Sequence, residues 1–403
     1  MNLSLINISK KTKIDIISIF TSSTFSQFIQ FIFLVVLSRS VSIDDLGVYQ
    51  YFMSLAGFMV FSSFPGLSDM IRQEIARNNP NLNFSSQIIQ FLTSCIGSIL
   101  IFAYSIFVND PIIKNCLYIL SFFFPLSYGL SLWKDIMIGH GEMAKFAKYQ
   151  AVNQVIIYGT SIIYLLYFNE DIMNLLILHF VCRTLVNVSM TILVRNHFAP
   201  KWVFNKQNLY YSISNTLSIF INNIGVFIDK ILLFNFVSPT NLAIYAISEK
   251  LPEAIKSQIQ GLRKILLPKF AREKHYTKTL DKKIKKISCL IAVVIIIIAL
   301  VIVPTFIKFM FGDQYAKSIL ICQCLMGTMI IGQITQFKAS YILSHLDASS
   351  VRLYTLGANF VKIVASCLFV PVYGVWGAVL SVFLYRISLN VLVNIAMRKH
   401  AEK

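Results

Sequence analysis

The sequence predicts an all-α polytopic membrane protein, with 12 transmembrane helices in two parallel six-helix repeats. Three observations carry that prediction: a composition too apolar for water, a succession of apolar segments cut by charge clusters, and an internal repeat. The 403 residues are 56% hydrophobic and only 13% charged, against about 25% charged in an ordinary soluble domain. Phe alone occupies 33 positions. A soluble chain of this size cannot hide so much apolar surface, because large cores stop growing and split into domains covered by charge. The remaining charge is lopsided, 36 Lys and Arg against 18 Asp and Glu, a net of +18. A nucleic-acid binder shares that sign but not the hydrophobicity, so no nucleic-acid partner is expected. Composition thus excludes a soluble enzyme, a DNA-binding factor and a disordered chain.

A spanning helix needs about 20 mostly apolar residues. Cut at its charge clusters, the sequence gives spans near 14–37, 46–68, 86–108, 112–133, 149–168 and 172–195, then near 211–237, 241–265, 287–308, 315–343, 351–371 and 374–397. The first follows Lys10, Lys11 and Lys13. It is about twice as long as a signal-peptide core and no small-x-small site follows it, so it is expected to stay in the membrane. The spans at 241–265 and 315–343 are the least apolar, since they carry Glu249, Lys250, Glu253, Lys256 and Lys338. The seven cysteines, Cys322-Gln323-Cys324 included, lie inside apolar runs. There a thiol behaves as a small hydrophobe, so neither a disulfide framework nor a metal site is expected.

Charge tests the count, because Lys and Arg collect at alternate, cytoplasmic connections. With the N-terminus inside, that side holds Lys10, Lys11, Lys13, Arg72, Arg77, Lys134, Lys145, Lys148, Arg195, Lys201 and Lys206, then the 256–286 stretch, Lys338, Arg352, Arg398, Lys399 and Lys403. The opposite side holds Arg39, Lys114, Lys308 and Lys317, with the acidic pair Glu170-Asp171. The division is about 27 to 4, and an error of one helix would destroy it. Both termini are therefore expected in the cytoplasm. The basic 256–286 stretch reads as topology and attraction to anionic lipids, with capture of an anionic headgroup as the other reading.

The repeat appears in three matches. Val41 to Tyr49 aligns with Val237 to Tyr245; His140, Glu142 and Tyr149 align with His345, Asp347 and Tyr354; Arg183 and Asn187 align with Arg386 and Asn390. Six spans is an even number, so the halves run parallel, giving expected bundles of 1–200 and 201–403. Such transporters place their sites near the bilayer midplane. No phosphate-binding G-x-x-x-x-G-K-[ST] loop is present to make ATP the direct driver.

Ionisable groups within a span are costly and mark functional candidates. In the seventh span Asn215, Ser218, Asn222, Gly225 and Asp229 follow a 3-4-3-4 spacing, which makes one polar stripe. Asp229 and Lys230 in the seventh span, and Glu249, Lys250 and Glu253 in the eighth, lie at similar depth. Asp229 can therefore pair with Lys250, and Lys230 with Glu249. The group reads either as an ion-pair cluster bracing the hairpin or as a coupling site that changes partners. Arg183, Lys230, Lys362 and Arg386 add positive charge near the midplane, suited to a diphosphate because Arg binds phosphate oxygens bidentately. The other reading of the two arginines is a brace to Asn187 and Asn390. His140 and Glu142 read as structural caps. The six histidines, His275 among them, are scattered, with no H-E-x-x-H and no Ser/Asp arrangement, so no catalytic residue and no cofactor is expected.

The segment from Leu37-Ser38-Arg39 through Leu46-Gly47-Val48-Tyr49, then Pro65-Gly66-Leu67 and Arg72 to Arg77, resembles the opening of bacterial polysaccharide transporters. Asp229-Lys230-Ile231-Leu232, with Leu242-Ala243-Ile244-Tyr245 and Glu249-Lys250-Leu251, is similar to that family's seventh and eighth helices. These are the O-antigen, or lipid-linked oligosaccharide, flippases of the multidrug/oligosaccharidyl-lipid/polysaccharide export superfamily. The resemblance spans essentially the whole chain. It implies a flippase for undecaprenyl-pyrophosphate-linked sugar units, working by alternating access through a central V-shaped cavity in the bacterial inner membrane. It also implies polymerase and chain-length proteins as partners. A multidrug/cation antiporter of the same superfamily is the main alternative, disfavoured by the midplane cations. A peptidoglycan-precursor flippase has two further helices, and a polymerase needs larger loops than the short outer ones here.

Overall fold

The computed structural model describes residues 10–77, 83–168, 171–198, 206–270, 276–345 and 348–401. Glu170, Lys201, His275, Asp347 and Lys403, named above, lie outside them. The described residues are helical almost throughout. In chain order the helices are α1 (Lys10–Ser40), α2 (Ile43–Met59), α3 (Gly66–Ala76), α4 (Asn83–Ile106), α5 (Pro111–Tyr128), α6 (Trp133–Gly139), α7 (Met143–Gln154), α8 (Thr160–Tyr167) and α9 (Ile172–Phe198). There follow α10 (Lys206–Phe236), α11 (Pro239–Phe270), α12 (Lys278–Ile297), α13 (Val303–Phe311), α14 (Lys317–Ser344), α15 (Ala348–Tyr373) and α16 (Val375–Ala401).

Nine helical segments among the described residues are long and apolar enough to cross a membrane, or ten if the bent pair α2–α3 forms one span. The chain is a multi-pass membrane protein. Side chains such as Phe107, Phe122, Tyr167, Leu300 and Phe309 are more than half exposed, a hazard in water but the normal outer surface of a helix bathed in lipid. The expected second span is the bent pair: a 3-10 turn at Val60–Ser63, Phe64 at φ 55° and then Pro65 turn the helix by 53°. Pro cannot donate to the preceding turn, so a break at this point follows from the sequence. The expected spans at 149–168 and 241–265 do not meet the apolar measure. The first is interrupted by a π turn, Val155–Gly159, after the half-polar α7. The second lies in α11, whose 32 residues carry the charged side chains noted above. The expected span at 315–343 does qualify despite Lys338.

The chain divides into two compact units, one of residues 1–42 and 59–219, the other of residues 43–58 and 220–403. In the first, Leu67, Met70, Ile71 and Ile75 of α3 pack with Trp133, Ile136 and Met137 of α6 and Val194 of α9. Helix α5 begins on Asp110, whose carboxylate accepts from the Ile112 and Ile113 amides at 2.8 and 3.1 Å, satisfying orphan donors of the first turn. Glu142 stands at the N-cap of α7 but makes no capping bond there. Its carboxylate holds Lys145 at 2.9 Å and His197 at 3.6 Å. Burial pushes this carboxyl up, and the Lys145 hydrogen bond and charge, with His197, more than offset that and hold it below its usual range.

The second unit is built on α10, α11 and α14 to α16, with the first part of α2. Ala339 and Ile342 of α14, Tyr354 and Ala358 of α15, and Leu389, Val393 and Ala396 of α16 form one core. Small residues let these helices approach, as is usual in membranes. At Gly47 of α2 a Cβ would lie 2.1 Å from the carbonyl oxygen of Pro239, the first residue of α11. Beside it the Thr240 hydroxyl donates to the Asp44 carboxylate, and Tyr51 stacks on Phe234 of α10 at 3.9 Å between ring centroids.

Candidate functional site

The second unit encloses a cavity of about 450 Å³ bounded by α10, α11, α14, α15 and α16. Its apolar lining comes from Leu325, Met329, Val382 and Leu389, and its cations are Lys230, Lys256, Arg263, Lys362 and Arg386. Two carboxylates, Glu249 and Glu253, face the same space. A volume of this size, lined mainly by charged and polar side chains with a minority of apolar ones, has the form of a site for a polar small molecule or headgroup.

The polar stripe of α10 divides along its length. Asn215 belongs to the first unit, where its amide donates to Asp69 Oδ2 at 2.6 Å, and Ser218 donates to the Ser214 carbonyl of its own helix at 3.2 Å. Neither lines the cavity, which corrects the expectation of a single polar cavity face. Asn222 and Gly225 do line it. Asn359 Nδ2 of α15 donates to Asn222 Oδ1 at 3.3 Å, and a Cβ at Gly225 would fall 2.7 Å from Asn359 Oδ1. One turn further along, Asp229 meets Lys362 of the same helix. The α10–α15 contact is therefore polar through successive turns.

Asp229 is fully buried and accepts three hydrogen bonds or ion contacts. Lys362 Nζ lies 3.1 Å from Oδ2, the Tyr245 hydroxyl donates to Oδ2 at 2.9 Å, and the Lys230 amide donates to Oδ1 at 3.0 Å. Lys230 Nζ pairs with Glu249 at 2.8 Å, as equal depth in the hairpin suggests. The expected Asp229–Lys250 pair does not form. Lys250 is instead bound to Glu253, one turn on in α11, at 3.3 Å. Adjacent helices fix depth but not azimuth, and Lys362 reaches Asp229 from α15, a neighbour that hairpin counting does not identify.

The arginines are not braced by their asparagines. Arg183, in the first unit, lies with its guanidinium carbon 4.2 Å from the Tyr128 ring centroid, a cation–π contact. Asn187 accepts from Trp133 Nε1 at 3.0 Å and donates to the Ser127 carbonyl at 2.7 Å. In the second unit Asn390 accepts from Asn394 at 2.7 Å. Arg386 lines the cavity, 8% exposed, with its guanidinium carbon 5.5 Å from the Tyr385 ring centroid. Arg183 is not among the residues lining this cavity.

Sequence reasoning missed Tyr245, Asn359, Gln336 and the cavity positions of Lys256 and Arg263. The last two read as part of a basic cytoplasmic stretch, yet α11 runs on to Phe270 and carries both to the cavity wall. The signal was present: Lys256, Gln260 and Arg263 are spaced i, i+4, i+7, which is one helix face.

A profile of the polysaccharide biosynthesis protein family matches residues 36–320, more than two thirds of the chain. The chain belongs to this family. No curated protein sequence matches it significantly. Among solved structures, lipid II flippase MurJ in an inward closed conformation is similar with a TM-score of 0.69 at 14% identity, covering 96% of this chain and 90% of that one. An inward-facing multidrug resistance MATE transporter gives 0.69 at 11% identity, covering 94% of each chain. A transporter from Pyrococcus furiosus, described as having a binding pocket of reversed polarity, gives 0.64 at 12% identity, covering 99% of this chain and 100% of that one. At such identities the likeness concerns the fold, so this polysaccharide biosynthesis protein shares the fold of the multidrug/oligosaccharidyl-lipid/polysaccharide superfamily.

Proposed function

We propose that this protein is a flippase, not an enzyme, that moves undecaprenyl-pyrophosphate-linked oligosaccharide units of the O-antigen type from the cytoplasmic to the periplasmic leaflet of a bacterial inner membrane. Its 12 spans would form two parallel six-helix repeats, 1–200 and 201–403, that alternate access to a central cavity, with both termini cytoplasmic. The observation that carries the reading is the cavity of the second unit. Five cations and two carboxylates line it inside a membrane protein, an excess suited to an anionic headgroup and unsuited to a lipophilic cation. Family membership points to polysaccharide chemistry. The contact of Asp44 with Thr240, which are repeat mates 196 residues apart, supports a local two-fold axis between equivalent helix starts.

On this reading Lys230, Lys362 and Arg386, with Arg183 in the first half, attract the diphosphate, while Asn222 offers hydrogen bonds. Asp229 holds Lys362 and Glu249 holds Lys230, beside the Lys250–Glu253 pair, and these pairs open and close during the cycle, coupled to an ion gradient. Anionic lipids are drawn to the basic cytoplasmic stretch, and a polymerase with chain-length proteins receives the product. Deletion of the gene, read by surface polysaccharide and by the leaflet that holds lipid-linked intermediates, tests it. Loss of surface polysaccharide with intermediates trapped in the inner leaflet is expected. Normal surface polysaccharide with altered drug efflux replaces this reading with a cation antiporter of the same fold.

A further inference from the structure

Helix α12 carries two different faces along its 20 residues. The inner face packs on the second unit, where Ile284 joins Phe337 and Tyr341 of α14 with Leu280 beside them. Ser288 and Ile295 continue that face and are buried. The outer face runs through Lys282, Lys286, Leu290, Val293 and Ile297, a 4-4-3-4 spacing that makes one stripe. Leu290 and Ile297 are more than half exposed, Val293 nearly so, and both lysines are exposed. Lys283, also exposed, stands seven residues before Leu290 and shares the stripe.

The charges of this segment are not equivalent. Asp281 is the one carboxylate of α12, and it is taken. Lys285 Nζ lies 2.8 Å from its Oδ2, and the Tyr276 hydroxyl donates to its Oδ1 at 2.8 Å. Lys282, Lys283 and Lys286 make no salt bridge among the described residues. Basic side chains elsewhere are held by acids, Arg72 by Asp135 at 2.8 Å and Lys145 by Glu142 at 2.9 Å. The rise from Lys286 to Leu290 is about 6 Å. Within that distance the stripe passes from cation to exposed hydrocarbon, the change a membrane surface makes from headgroup to acyl chain.

We propose that the outer face of α12 binds one anionic phospholipid, with an acyl chain along Leu290, Val293 and Ile297 and the phosphate at Lys282, Lys283 and Lys286. The site narrows the lipid attraction of the 256–286 stretch to one helix; it rests on that attraction and not on the flippase reading. Two features of one stripe select the occupant. The lysines lack a counter-ion in their own helix, and the apolar residues in line with them need an apolar cover. A phospholipid supplies both in one molecule, whereas an acidic protein or a free phosphate matches the lysines alone. Lysine suits the place because its stem lies along apolar surface while the ammonium stays at headgroup level. Each such lysine is worth about fivefold in occupancy by an anionic over a zwitterionic lipid.

The test uses the full chain in phosphatidylcholine nanodiscs with and without phosphatidylglycerol, read by melting temperature, and in detergent titrated with each lipid under native mass spectrometry. Both faces of a nanodisc are open, so the readings do not depend on orientation. Phosphatidylglycerol is expected to raise the melting temperature, since a ligand of the folded state stabilises it, and to bind more tightly than phosphatidylcholine. Lys282→Gln with Lys286→Gln is expected to weaken its binding by about tenfold or more, and Lys282→Arg with Lys286→Arg to keep it. Lys148→Gln with Arg398→Gln removes as many exposed charges elsewhere and is expected to change affinity less than about threefold. Size-exclusion profiles and melting temperatures in phosphatidylcholine alone confirm that each variant is folded. Lys286→Gln alone, expected to cost about fivefold, carries the test if the double variant does not fold. Equal losses in the Lys282/Lys286 and Lys148/Arg398 variants overturn the site and leave the general attraction; no preference for phosphatidylglycerol in the wild type overturns both. Equal stabilisation by inorganic phosphate or by polyglutamate overturns the assignment to a lipid. The flippase reading is decided separately, by the deletion phenotype.

Discussion

Asp229 and Lys362 form an ion pair buried in a membrane protein. Asp229 is 0% exposed and Lys362 9% exposed, with 3.1 Å between them. Removing one partner of such a pair leaves an uncompensated charge and costs about 3–5 kcal/mol, whereas removing both is far milder. Asp229→Asn is therefore expected to lower thermal stability in detergent and to reduce transport while still inserting. Asp229→Asn with Lys362→Met is expected to recover much of the stability, so a double-mutant cycle yields a coupling of more than about 1 kcal/mol. Strict additivity of the two changes excludes the pair as a structural unit. Tyr245→Phe, which removes only the 2.9 Å hydroxyl bond to Asp229, should cost about 1 kcal/mol. The sequence exposed the residues but not all of their partners. Lys230 and Glu249 were matched by depth alone, because neighbouring spans share a turn. Lys362 was legible as a buried cation, yet no periodicity tells which helix packs beside α10. Arg183 shows the same limit: its spacing offers Asn187 one turn on as a brace, and the structure sets its guanidinium against Tyr128 of another helix.

At the scale of the helix, apolar length was legible and local irregularity was only partly so. The bend after α2 follows from Phe64-Pro65, and the π turn at Ile298–Ile302 lies just before Pro304, whose missing N–H and ring disturb the turn that precedes it, whereas the π turn at Val155–Gly159 falls in an apolar run with no proline or charge to announce it. The stripe on α10 was correctly periodic, but periodicity assigns residues to a face and not to a neighbour. Its early part packs on α3 and its later part on α15. Helix starts were more informative. Val41 to Tyr49 and Val237 to Tyr245 were aligned as repeats, and the structure brings Gly47 of the first against Pro239 of the second. With a Cβ only 2.1 Å from a backbone oxygen, Gly47→Ala must push α2 and α11 apart. Overpacking of this kind costs about 1–3 kcal/mol or more, and a lowered melting temperature is the expected result. Gly327, in the interior of α14, has nothing within 4 Å of a built Cβ. Gly327→Ala should stabilise by up to about 1 kcal/mol through helix propensity. The two changes are chemically identical, so the opposite signs isolate packing; equal shifts would refute the close α2–α11 approach.

For the whole molecule, composition alone established the environment, because a chain that is 56% hydrophobic with large exposed side chains such as Phe107 and Phe309 has the surface of a lipid-solvated protein. Most of the +18 charge is then orientation and little of it is site. The positive-inside division of about 27 to 4 predicts a cytoplasmic 256–286 stretch. The structure divides that stretch, since α11 carries Lys256 and Arg263 to the cavity wall. In the sequence one basic run carries both roles, for a helix that continues past the bilayer looks the same as a loop once it turns polar. The orientation itself is directly testable. A fluorescent protein fused at the C-terminus should fold and fluoresce, because Arg398 and Lys399 lie on the positive side, and alkaline phosphatase fused there should be inactive. The phosphatase fused after Asp171, in an acidic connection, should be active, and fused after His275 it should be silent. Neutralising Lys282, Lys283, Lys285 and Lys286 together removes four of the charges expected to hold this face inside and should weaken that contrast. An active phosphatase after His275 in the wild type would invert the orientation.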